Sequence, residues 1–226
     1  MTRWLIALVL LSSCGGMSTP TPPAPTTTAR YFAIGDSYTI GESVPPEERF
    51  PHQLARELGL PEPLIVAKTG WTTDELSNAL DTIRVAGPYD LVTLLIGVNN
   101  QYRGRDVEQY RAEFAELLRR AIGFAGDDPK KVIVVSIPDW GVTPFAADRD
   151  RAKISAEIDR YNAVNREETA KAGARYVDIT PISRRNDPSL VAGDGLHPSG
   201  KQYAEWVKLI LPEARAVLAR SSNPSP

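Results

Sequence analysis

The chain lacks the material for several kinds of chemistry. Its 226 residues include one cysteine, Cys14, and two histidines, His52 and His197. A single thiol excludes an internal disulfide and every cysteine-based zinc cluster, and two imidazoles leave little from which to build a metal site. Neither charge sign dominates: 26 Lys and Arg face 28 Asp and Glu, for a formal net charge of −2. That balance provides no general field for nucleic acid, so no nucleic-acid partner is expected. No apolar run reaches the ~20 residues of a membrane span. Gly-x-Ser-x-Gly, Walker A and dinucleotide-type glycine patterns are all missing. What is present is ordinary globular material, 42% hydrophobic and 24% charged, long enough for one well-cored domain.

The ends differ from the middle. Arg3 supplies a positive start, Trp4 to Leu11 an apolar stretch, and Leu11-Ser12-Ser13-Cys14 follows at once. This reads as a signal peptide over residues 1–13. The segment ending at Cys14 resembles the lipobox of bacterial lipoproteins, which implies acyl chains on Cys14 and a lipid anchor in a membrane. In that resemblance, Gly15 in place of an aspartate favours the outer membrane of the cell envelope. Residues 14–28 are rich in Pro and Thr, with almost no large apolar side chain, and read as an extended tether. The folded domain is expected over 29–220, with a frayed tail at 221–226.

Within those limits apolar strands alternate with amphipathic helices. Arg30–Ile34, Leu64–Ala67, Asp90–Ile96, Lys131–Ile137 and Ala174–Ile179 are strand candidates, the third and fourth being continuous apolar runs of the buried parallel type. Helices are expected over Glu48–Leu58, Asp74–Leu80, Val107–Phe124 and Asp150–Ala172, and after Pro198-Ser199, the last kinked at Pro212. This alternation predicts an α/β fold, a three-layer α/β/α sandwich on a parallel five-stranded sheet. In such sheets the site lies beyond the carboxyl ends of the strands.

Three short segments stand at those ends, and a fourth lies near the C-terminus. Gly35-Asp36-Ser37 follows the first strand and could present a hydroxyl, although Asp-Ser is also a common helix cap. Gly70 follows the second strand and Gly97-Val98-Asn99-Asn100 the third. An Asn side chain there can donate to a developing oxyanion, or simply cap a helix. Near the C-terminus Asp194 and His197 are three residues apart, close enough for a carboxylate to orient an imidazole. Trp71, Tyr102, Trp140 and Phe145 could wall the crevice or pack in the core. Arg103 and Arg105 could meet an anionic group or remain solvated, and His52 reads as a surface helix residue.

In chain order the four segments resemble the blocks of the SGNH (GDSL-type) hydrolases across the whole folded domain. The resemblance implies a flavodoxin-like fold and a serine esterase that needs no cofactor and no metal. It makes Ser37 the nucleophile, His197 the general base and then acid, and Asp194 its orienter. The oxyanion hole would comprise the Ser37 and Gly70 N–H groups and the Asn99 side chain. Expected substrates are small acyl esters or thioesters, acylated glycans and lysophospholipids. The alternatives are an O-acyltransferase with the same triad, or a non-catalytic carbohydrate- or lipid-binding module on the same fold. Two positions depart from the family pattern: Tyr38 stands where leucine is usual, and Asn100 where aspartate is usual.

Overall fold

The computed structural model describes Met1 and residues 29–221; Cys14, the tether, the rest of the expected signal peptide and residues 222–226 lie outside the described residues. Five apolar runs form five strands: β1 (Tyr31–Gly35), β2 (Leu64–Ala67), β3 (Leu91–Leu95), β4 (Val132–Val135) and β5 (Arg175–Val177). They make one sheet of order β2-β1-β3-β4-β5, parallel at every pairing. The three inner strands are buried at every residue, whereas β2 and β5 at the edges are partly exposed. Cover on both faces is why β3 and β4 are continuously apolar rather than alternating.

Helices fill the connections: α1 (Ser37–Ile40), α2 (Phe50–Leu58), α3 (Thr73–Thr82), α4 (Val98–Tyr102), α5 (Val107–Phe124), α6 (Arg151–Ala172), α7 (Thr180–Ser183) and α8 (Gly200–Ser221). Stepping from β1 outward to β2 and back to β3 reverses the direction of travel across the sheet. Right-handed crossovers therefore send α2 to one face and α3, α5 and α6 to the other. The packing agrees: α2 lies against α8, while α5 contacts both α3 and α6. Phe50 of α2 and Tyr203 and Trp206 of α8 are fully buried between them. The result is the three-layer sandwich that the strand pattern predicts, with the flavodoxin-like strand order that the family resemblance implies.

Local chemistry moves some boundaries. Pro46–Glu48 forms a separate 3-10 turn, so α2 begins at Phe50 rather than Glu48. A capping box between Thr72 and Glu75 starts α3 at Thr73. β5 stops at Val177 because the next amides turn away: Ile179 N–H and Thr180 N–H donate to Ser136 Oγ at 2.8 and 3.1 Å. Pro212 lies inside α8, which continues past it.

Register decides where the chemistry can sit. Gly35 pairs with both Ala67 and Leu95, so β1, β2 and β3 end level with one another. The segments after them leave the sheet at the same edge, where the strand order reverses beside β1. That is the crevice in which open α/β sheets bind ligands.

Candidate active site

At the end of β1 the chain turns sharply into α1. A side chain on Gly35 would overlap the Leu95 carbonyl and Thr39, so only glycine lets the strand pass this close. Asp36 Oδ1 accepts the Tyr38 N–H at 3.0 Å and caps the short helix. Ser37 is thus the first residue of α1, with no carbonyl one helical turn back to take its N–H. Burial pushes the Asp36 carboxyl up to about 7, against the lowering effect of the Tyr38 amide. Its other oxygen, Oδ2, is buried without a hydrogen-bond partner among the described residues.

Two loops bring further donors. Gly70 has φ of +86°, a backbone that other residues rarely adopt. Its carbonyl accepts Arg103 Nη2 at 2.7 Å, and among the described residues nothing accepts its N–H. Asn99 Nδ2 donates to the Trp71 carbonyl at 2.9 Å. An amide nitrogen carries two hydrogens, so this bond fixes the group and leaves one N–H to serve the pocket.

Asn100, the residue that departs from the family pattern, is fully buried and braces the neighbouring loop. Its Oδ1 accepts the Thr73 N–H at 3.1 Å, and its Nδ2 donates to Thr73 Oγ1 at 2.6 Å. The Thr73 hydroxyl in turn donates to Glu113, whose Oε2 lies 3.4 Å from Asn100 Nδ2. An amide suits this place because a second carboxylate would face Glu113.

The Asp194–His197 turn is tightly bonded. Asp194 Oδ1 accepts the N–H groups of Leu196 and His197, both at 2.9 Å. Oδ2 accepts the Ser43 hydroxyl at 2.6 Å and lies 2.5 Å from His197 Nδ1. Partial burial pushes the Asp194 carboxyl up, but the hydrogen bonds from Ser43, His197 and the two amides outweigh it and hold it well below the usual carboxylate range. The carboxylate therefore stays ionised and holds the imidazole by Nδ1, leaving Nε2 free for proton transfer. Tyr38 meets the imidazole edge-on with ring centroids 5.7 Å apart, which gives the residue in the usual leucine position a packing role.

Ser37, Gly70, Asn99 and His197 line one pocket of about 220 Å³, which Tyr102, Trp140 and Phe145 also line. Among the described residues, the Ser37 hydroxyl makes no hydrogen bond to the imidazole. Hydrogen bonds between a nucleophile and its base are often long without substrate and tighten when it binds. A larger hollow of about 670 Å³ lies behind Gly195 and is lined by neither Ser37 nor His197. Among the described residues no group of three or more His, Cys, Asp or Glu could hold a metal ion, and no helix is long and apolar enough to cross a membrane.

The profile of the GDSL-like lipase/acylhydrolase family matches residues 33–205. The chain belongs to that family. Solved structures share the fold of this GDSL-type hydrolase. A lipase/acylhydrolase from Enterococcus faecalis is 24% identical, with a TM-score of 0.60 over 83% of this chain and 96% of its own. The acetylxylan esterase Axe2 from Geobacillus stearothermophilus is 19% identical, with a TM-score of 0.62 over 82% and 94%. Phospholipase A1 from Streptomyces albidoflavus is 17% identical, with a TM-score of 0.62 over 84% and 99%. None of the curated protein sequences matches the chain.

Of the residues singled out in the sequence, Ser37, Gly70, Asn99, Asp194 and His197 converge here, and Tyr102, Trp140 and Phe145 join them in this GDSL-type pocket. Trp71 does not line it; its carbonyl holds Asn99. Arg103 and Arg105 are engaged by Glu75 and Asp74, at 3.2 and 2.6 Å. His52 sits in α2 with Nε2 3.0 Å from Glu62. Sequence reasoning missed Ser43, which holds Asp194 from 151 residues away. It also missed Arg149, whose guanidinium covers the aromatic wall. Ser43 carries no motif, and nothing in the order of the chain marks either contact.

Proposed function

We propose that the protein is a serine ester hydrolase working through an acyl-enzyme, with Ser37, His197 and Asp194 as its triad. The observation that supports this most directly is the 2.5 Å Asp194–His197 pair sharing one pocket with Ser37 and the candidate oxyanion donors. The Ser37 oxygen attacks the ester carbonyl while His197 Nε2 takes its proton. The negative oxygen that develops is met by the Ser37 and Gly70 N–H groups and by the Asn99 amide. As the tetrahedral intermediate collapses, the alcohol leaves with the proton from His197. Water then enters, loses a proton to His197 and releases the acid, and the proton returns to Ser37.

The pocket favours short acyl groups. At about 220 Å³ it is smaller than the ~300–1,000 Å³ of sites for drug-sized ligands, and Tyr38, Tyr102, Trp140 and Phe145 contribute to its walls. Small carboxylic esters and acetylated glycans fit that volume better than long-chain lysophospholipids do. A fluorophosphonate probe is expected to label Ser37. Ser37→Ala is expected to fold normally and to lose several orders of magnitude in kcat. A p-nitrophenyl ester series is expected to peak at short chains. Labelling of a different serine would falsify the assignment.

For location we propose a lipid anchor on Cys14, with the domain facing the envelope space on its Pro/Thr tether. The Leu11-Ser12-Ser13-Cys14 motif supports it. Cys14→Ala is expected to abolish palmitate labelling and to leave esterase activity per molecule unchanged; labelling that survives the change refutes the anchor.

A further inference from the structure

We propose that Arg149 makes the pocket selective for esters carrying a carboxylate or phosphate group on their acyl or alcohol part. The proposal rests on the ester-hydrolase reading of the same site. Arg149 is exposed, and its guanidinium carbon lies 5.2, 5.5 and 5.4 Å from the ring centres of Tyr102, Trp140 and Phe145. All three rings line the pocket beside Ser37 and His197. Nη2 donates to the Tyr102 hydroxyl at 3.2 Å.

That is the one acceptor found for its side chain among the described residues, out of five guanidinium N–H donors. No described carboxylate lies within ion-pair distance of it. The flanking acids do not fill the gap: Asp150 caps α6 through the Lys153 amide at 3.0 Å, and Asp148 forms no ion pair among the described residues. Arg103 and Arg105, by contrast, are committed to Glu75 and to Asp74.

A guanidinium stacked on aromatic rings keeps its charge and its edge donors while its faces are desolvated. Such an edge matches the paired oxygens of a carboxylate or phosphate, and a neutral ester offers it nothing equivalent. A purely structural clasp would satisfy the rings and leave the outward donors to water, so selectivity between charged and neutral esters is what separates the two roles. The aromatic wall would then hold the apolar part of the substrate and Arg149 its charged end.

Matched esters test this, with the anion placed on either side of the ester bond. On the acyl side, monomethyl glutarate is compared with methyl pentanoate. On the alcohol side, 2-(butyryloxy)ethyl phosphate is compared with ethyl butyrate. In at least one pair the wild type is expected to favour the anionic member in kcat/KM. Arg149→Gln is expected to lower that anionic-to-neutral ratio roughly tenfold, mainly through KM, as for a lost hydrogen bond to a charged group. Arg149→Lys is expected to restore part of it, and added salt to weaken it in the wild type.

A ratio within one protein cancels any general change in the pocket. Binding of the same anionic esters to Ser37→Ala protein, followed by tryptophan fluorescence, gives a readout without turnover. There Arg149→Gln is expected to weaken affinity by a similar factor. Binding that needs Arg149 with no turnover in the wild type would uphold the anion site and refute the esterase reading. Ratios and affinities indifferent to Arg149 in both pairs would overturn the proposal.

Discussion

On one side of the pocket Asp194 accepts four hydrogen bonds and Asn99 is tied to the Trp71 carbonyl, so the polar groups are held in place. Among the rings that line the pocket, Tyr102 and Phe145 remain 48% and 43% exposed, touching other rings and the Arg149 guanidinium. The reacting side is fixed by directional bonds that must be right to a fraction of an ångström. The rings proposed to meet the substrate are held by ring contacts that tolerate exchange. Chemistry common to a family and specificity particular to one member can therefore change independently, although one 220 Å³ space holds both.

If that division is real, disturbing the bonded side should cost rate far more than binding. The largest expected effect below loss of the nucleophile is Asn99→Ala. Removing one oxyanion donor is expected to lower kcat by ~10²–10³, about 2.7–4 kcal/mol. KM should hold, because the donor acts on charge that exists only in the transition state. A rise in KM alone would move Asn99 to the substrate side of the comparison. Steady-state kinetics on a short-chain ester decides it.

Asp36 tests how much stability the bonded side sacrifices for its geometry. Its folded pKa, about 7, lies above the ordinary 3.8, so the stability linked to its neutral form is complete below pH 3.8 and is lost as pH rises through 7. Between pH 5 and pH 8 the loss is about 2–3 kcal/mol. Asp36→Asn keeps an oxygen for the Tyr38 amide and removes the titration. Urea unfolding at the two pH values is expected to show a smaller drop for the variant than for the wild type. Equal drops would show that water reaches the carboxylate.

How far the sequence reveals these parts follows from distance along the chain. β3 and β4 announce themselves because burial on both faces forces unbroken apolar runs. The first three site blocks are legible because each lies just past a strand end, and the fourth because Asp194 and His197 are separated by one turn. The four- and five-residue helices α1, α4 and α7 are not legible; segments so short have no periodicity and form only where tertiary contacts hold them. Asn100 reads as a bare departure from a pattern until Glu113 and Thr73 are seen beside it.

That last grouping predicts a coupling. Asn100→Asp would set a carboxylate against Glu113 in a buried position and is expected to cost about 1–3 kcal/mol. Glu113→Gln in the same chain restores a donor and is expected to recover most of the loss. A double-mutant cycle by chemical unfolding measures the interaction, expected at about 0.5–3 kcal/mol. A cycle without coupling would mean that Asn100 is set by Thr73 alone.

The smallest effect, and the finest test of the bonded side, is at Ser43. This residue has φ of +67°, a left-handed backbone that costs a side-chain-bearing residue about 1 kcal/mol or more and that glycine adopts freely. A serine held there, with its hydroxyl 2.6 Å from Asp194 Oδ2, trades backbone comfort for a fixed carboxylate. Ser43→Gly removes the strain and the hydroxyl together, whereas Ser43→Ala removes the hydroxyl and keeps the strain. The glycine variant is expected to be the more stable of the two by thermal unfolding. Both are expected to lose kcat by roughly tenfold, the order of one hydrogen bond to a charged group, with KM unchanged. Because Asp194 is partly exposed, water could enter where the hydroxyl stood. Wild-type kcat in both variants would show that it does so, and that the two amides of the Asp194 turn suffice to aim the carboxylate. A shared fall in kcat, with the strain removed in one variant and kept in the other, would separate the hydroxyl's contribution from that of the backbone carrying it.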